Sequence, residues 1–178
     1  MTTETSTIAV LLSPKTTLLV DIFRSLGDFE ASYDVAAIDA LEYRLTAATD
    51  GQTARAVVSD ALLLGFALRN QRTDDPTPHP GWEMNAVGTR RASADECAVL
   101  GLVAASKAGE TALASLCARR LSVALDRTVS SLARDMGLRL EAAGLRIESR
   151  DWAPLLDVRP VPTSGDEAGG GHRSAARS

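Results

Sequence analysis

Residues Arg119 to Gly137 read RRLSVALDRTVSSLARDMG. How many helices they make decides the second half of the fold. Leu121, Leu125, Val129, Leu132 and Met136 follow one another at steps of 4, 4, 3 and 4. At about 100° per residue these side chains share one narrow stripe. Arg120, Arg127 and Arg134 recur every seven residues along a flank of that stripe. The middle, LSVALD, has no glycine, proline or asparagine, and its residues are good helix formers. The expected element is one amphipathic helix from Glu110 to Met136, on the order of 40 Å long. Gly137 ends or weakens it. The stripe continues upstream through Cys117 and Leu113 and drifts around the helix, so neighbours must cover more than one face. A helical bundle does this, and so does a dimer interface.

The same stretch resembles a helix-turn-helix. In LCARRLSVALDRTVSSLARDMG, Ala118 would pack the first helix and Ser122 would occupy the turn. Thr128 to Arg134 would form the helix that lies on DNA. The resemblance implies contacts to phosphates and base edges from Arg120, Arg127 and Arg134. Residues 111 to 140 hold five arginines and two aspartates, a local excess of +3. The pattern departs where Thr128 stands at a position the module keeps apolar, and no turn-forming residue interrupts LSVALD. A continuous helix with a solvated arginine edge fits these residues better.

Working outward, Ser93-Ala-Asp-Glu96 is a capping box and starts a helix that Lys107-Ala108-Gly109 ends. Upstream, Ser13-Pro14 reads as a cap followed by proline at the first helical position. Leu18, Leu19, Ile22, Phe23 and Leu26 then share a face, and Gly27 is the expected stop. A second helix spans roughly Tyr33 to Thr49, with Ile38, Leu41, Leu45 and Ala48 inward. A third runs from about Gln52 to Asn70 and is apolar on a broad face, as expected of a central helix. TIAVLL before Ser13 reads as a helical lead-in or a short strand whose partner would be LRIES.

The expected class is therefore all-α, a bundle of about five to six helices. Residues 1–70 form the N-terminal helical half, with net charge −4. Residues 71–92, rich in proline and glycine, read as a long surface or disordered connection. Residues 93–149 form the C-terminal half, compact with the first. Residues 150–178 give an extended segment and a low-complexity, disordered tail.

The chain has 178 residues and a formal net charge of −4, an unusual sign for a dedicated nucleic-acid binder. Its bases are 17 arginines and only two lysines, Lys15 and Lys107. With the abundant alanine this reads as GC-rich codon usage rather than selection for phosphate. The two histidines, His79 and His172, stand in the proline-rich connection and the tail, where neither is pre-organised for catalysis. Cys97 and Cys117 lack metal-ligand spacing and read as reduced core thiols. No phosphate-binding glycine loop occurs. Carboxylates are scattered at Asp21, Asp34, Asp39, Glu42 and Asp60; Asp39 and Glu42, three apart on one helix face, have a spacing a carboxylate-bridged metal could use, but without an ExxH companion they read as a solvated face. No leader and no membrane span are read in the sequence, so a cytoplasmic protein is expected.

Without a convergent reactive set, the expected function is that of a non-enzymatic helical interaction protein: an accessory, adaptor or assembly factor. It would bind a protein partner or its own copies, with no cofactor, metal or membrane. The expected interface is Trp82, Leu121, Leu125, Leu132, Met136, Trp152, Leu155 and Leu156. Trp82 and Trp152 lie outside the predicted helices, where each pins its loop or anchors a partner. The alternative is a DNA-binding regulator with a degenerate helix-turn-helix at 112–136.

Overall fold

The structure, a computed structural model, describes residues 10–71, 82–148 and Trp152. It is all-α, with six helices and one two-residue strand pair among the described residues. The order is β1 (Val10–Leu11), α1 (Pro14–Ser32), α2 (Val35–Ala48), α3 (Gly51–Asn70), β2 (Arg91–Ala92), α4 (Ala94–Ala108), α5 (Thr111–Arg120) and α6 (Arg127–Ala142). Leu155, Leu156, the tail and residues 72–81 of the expected connection lie outside the described residues.

Local chemistry sets most helix starts. Ser13 accepts from the Thr16 amide with Pro14 in the first turn. Asp34 caps α2 through the Ala36 amide, and Asp50 caps α3 through Gln52 and Thr53. Ser93 and Glu96 form the reciprocal capping box, and Gly109 closes α4 at φ 75.

α1, α2 and α3 pack on one another, and α4 packs on α5 and α6. Contacts of α6 with α3 and of α4 with α1 join the two halves around one hydrophobic core. The innermost helix is α4, not α3: every residue from Glu96 to Ala105 is buried, whereas Leu63 and Phe66 of α3 are exposed.

Three further expectations change. Gly27 does not stop α1, which runs on to Ser32 and ends at Tyr33 with φ 53. One helical glycine costs about 1 kcal/mol. The extra turn is held by the Glu30–Arg69 ion pair and by Phe29 edge-on against Tyr33. The strand pairs antiparallel with Arg91–Ala92, not with LRIES. And the expected helix from Glu110 to Met136 is two helices.

The break has tertiary causes that LSVALD does not display. α5 ends at Arg120, and Ser122 takes φ 55. Leu121 and Val123 are buried in the turn. The Leu121 carbonyl accepts from Trp82 Nε1 at 2.9 Å, and the Ala124 amide donates to the Gln71 carbonyl at 3.0 Å. Asp126 then caps α6 by accepting from the Val129 amide at 2.7 Å. These contacts outweigh a helix propensity worth a few tenths of a kcal/mol per residue.

Gly137 lies inside α6 and marks its crossing with α4. A Cβ there would stand 2.9 Å from Lys107 Cβ and 3.1 Å from the Val103 carbonyl oxygen. Only glycine permits that approach.

Candidate functional site

The described part of the expected connection, residues 82–92, is bound to the bundle by a buried charge network. Asp21 and Arg24 sit one turn apart on α1, and Glu96 comes from α4; all three side chains have no exposed surface. Arg24 Nε donates to Glu96 Oε1 at 2.6 Å and Nη2 to Oε2 at 3.0 Å, a bidentate pair. Its Nη1 donates to Asp21 Oδ1 at 3.0 Å and to the Thr89 carbonyl at 2.7 Å. Nη2 also reaches the Arg91 carbonyl at 2.6 Å. Every donor of the guanidinium is thereby met.

The carboxylates hold the loop from their own side. Glu96 accepts from the Ser93 amide at 2.8 Å, the Asn85 amide at 2.7 Å and Asn85 Nδ2 at 3.0 Å. Asp21 accepts the Gly88 amide and the Arg44 guanidinium. Burial pushes the Glu96 carboxyl upward, but the bonds from Arg24, Ser93 and Asn85 prevail and hold it below its ordinary value. Asp21 is thus no solvated carboxylate, and this arrangement positions a loop rather than a reactive group.

The two cysteines belong to the core. Burial, with Glu96 adding to it, raises the Cys97 thiol to about 11, and burial raises Cys117 to about 12. Such thiols are poor nucleophiles at neutral pH. Among the described residues no three histidine, cysteine or carboxylate side chains gather as a metal cage would require.

The expected interface residues divide. Leu121 and Met136 are fully buried and Trp152 nearly so, all within this chain's own core. They are not available to a partner of the folded molecule. Trp82 is half-buried and pins its loop to the α5–α6 turn. Leu125 and Leu132 are partly buried against the core. Of the candidate DNA contacts, Arg120 pairs with Asp95 at 3.3 Å, while Arg127 and Arg134 are exposed on α6.

Apolar side chains face outward at several places, Leu11, Tyr33, Val35, Tyr43 and Val87 among them, and two more, Leu63 and Leu138, meet at one groove. On α3, Leu63 and Phe66 are 52% and 49% exposed, and on the adjoining α6 Leu138 is 45% exposed. Leu63, Leu132 and Leu138 line a shallow groove between the two helices with Asp60, Asp135 and Arg139, and Arg139 is ion-paired to Asp60 across it. Periodicity missed this face because both helices carry apolar residues inside and out. A surplus of apolar positions over one buried stripe was the available signal.

No helix among the described residues is long and apolar enough to cross a membrane. No protein-family model matches the chain, and neither a curated protein nor a solved structure matches it.

Proposed function

We propose that the protein is a helical interaction protein that acts by binding rather than by catalysis and pairs with a second copy of itself across the α3/α6 face. The observation that carries this reading is the outward pair Leu63 and Leu138 in the α3/α6 groove, with exposed Phe66 three residues along α3. Apolar groups clustered on a surface and rimmed by charge are characteristic of interaction sites. The second copy is the favoured occupant because the groove carries both signs, the Asp60–Arg139 ion pair beside Asp135. A patch of that kind complements itself across a two-fold axis. The titratable groups inside the fold are committed to structure, which supports a non-enzymatic role. A cytoplasmic location belongs to the same proposal; the two unbridged thiols, Cys97 and Cys117, support a reducing compartment.

The test is light scattering on the wild type and on Leu63→Glu combined with Leu138→Glu. The wild type is expected at twice the chain mass and the variant at the chain mass with unchanged helicity. A wild-type monomer, or a variant that still pairs, contradicts the proposal. A different protein recovered on the same face would replace the second copy as occupant.

One observation favours the DNA reading: the chain does break at Ser122, with the left-handed backbone that a turn position requires. Against it, the connection runs six residues, 121 to 126, where the DNA-binding module uses three or four. α5 and α6 both pack on α4 and scarcely touch each other. Salt-dependent binding of duplex DNA that weakens when Arg127 and Arg134 become alanine would establish that reading. Absence of binding at low salt removes it.

A further inference from the structure

Apart from the pairing face, one recess has the chemistry of a ligand site. A cavity of about 360 Å³ lies where the end of α4 meets the starts of α5 and α6. Ser106 of α4, Thr111 of α5, and Arg127, Ser130, Ser131 and Arg134 of α6 line it. The two arginines stand seven residues apart, two turns along one face of α6, so both reach the same space.

Several surface arginines are neutralised by a carboxylate, and these two are not. Arg44, Arg55, Arg69, Arg120 and Arg139 each have a carboxylate partner. Among the described residues neither Arg127 nor Arg134 has one. Of the nearby acids, Asp126 caps the Val129 amide and accepts Gln71 Nε2 at 2.7 Å, Asp135 lines the α3/α6 groove, and Glu110 stands at the start of α5 beside Thr111.

Ser106 supplies an independent sign of a missing partner. Its Oγ is buried in the cavity wall and has no hydrogen-bond partner. A buried hydroxyl left unmet costs stability and calls for an explanation. α5 also opens at this recess without a side-chain cap. Two uncompensated guanidinium groups, an unmet hydroxyl and further hydroxyls therefore surround one hollow.

We infer that this cavity binds the phosphate group of a small phosphorylated metabolite. Arg127 and Arg134 pair with the phosphate oxygens, and the hydroxyls of Ser106, Thr111 and Ser130 donate to them. Two positive charges with several donors match a dianion better than a single carboxylate. Ala114 and Leu125 give the recess an apolar wall for the carbon part of the ligand. Nucleic acid fits less well, since the arginines line a hollow and the chain's net charge is −4.

The experiment is an amide NMR titration of the full chain with glycerol 3-phosphate, inorganic phosphate or a short DNA duplex, at ionic strength fixed with sodium chloride. Saturable shifts at residues 106–114 and 127–134 are expected, tightest with the ester. Arg127→Gln combined with Arg134→Gln should weaken binding at least tenfold, while Arg119→Gln, outside the cavity, leaves it unchanged. Ser106→Ala should raise the ligand-free melting temperature and weaken the ester together, which a purely structural serine would not do. Three results overturn the inference: no saturation, wild-type affinity in the double arginine variant, or inorganic phosphate or duplex bound as tightly as the ester.

Discussion

Replacing Arg24 with methionine removes five donated hydrogen bonds in one step. Methionine fills similar space along the stem but leaves the Asp21 and Glu96 carboxylates inside the protein without their shared cation. Breaking a buried ion pair by deleting one partner costs about 3–5 kcal/mol. Whole domains are stable by only about 5–15 kcal/mol, so the loss is a large fraction of the total. With a urea m-value of about 1–3 kcal/mol/M, the unfolding midpoint should fall by on the order of 2 M. Circular dichroism and Trp82 fluorescence should report it together if the loop and bundle unfold as one unit. Glu96→Gln added to Arg24→Met should cost less than the same change in the wild type, because the charge it neutralises is by then unpaired. The reasoning is refuted if Arg24→Met costs below about 1 kcal/mol, or if the two substitutions add without coupling.

Other outcomes follow from the same contacts. The folded Glu96 carboxyl lies below its ordinary value of 4.5. Its contribution is therefore present in full above that pH and is lost as pH falls through the lower folded value. Urea midpoints measured from neutral pH into acid should drop more steeply for the wild type than for Glu96→Gln, and equal slopes would count against the assignment. Gly137→Ala improves helix propensity by about 1 kcal/mol yet should still destabilise. Its Cβ meets Lys107 and the Val103 carbonyl, and overpacking costs about 1–3 kcal/mol; a higher melting temperature would show that α4 and α6 separate readily. Cys97 and Cys117, raised to about 11 and about 12, should resist a thiol reagent at neutral pH until urea unfolds the chain. Fast labelling of the native protein would show that the core opens.

Features written within four residues of one another were legible in the sequence. Ser13-Pro14 and the Ser93–Glu96 box are complete local statements, and the structure has both. What depends on distant partners was not. Glu96 reads as a cap, but its burial depends on Arg24, 72 residues away. LSVALD reads as helix because the groups that bend it, Trp82 and Gln71, belong to other elements. The same blindness placed Leu121 and Met136 at an interface: an amphipathic stripe shows that a face is covered, not by which chain. Arg127 and Arg134 were legible as a recurring pair, while the recess they share needed α4 and α5 in place.

The pairing of two chains across α3 and α6 is open to a direct distance measurement. A spin label can be placed at Ser59→Cys, one turn before Leu63 on the exposed side of α3, with Cys97 and Cys117 too buried to compete. A second labelled protein carries Tyr43→Cys on the exposed side of α2, which packs on α1 and α3. Pulsed dipolar spectroscopy should give a short, well-defined inter-chain distance for the Ser59 label and a longer one for the Tyr43 label. No dipolar modulation from either label, or the shorter distance from α2, would contradict pairing through the α3/α6 face.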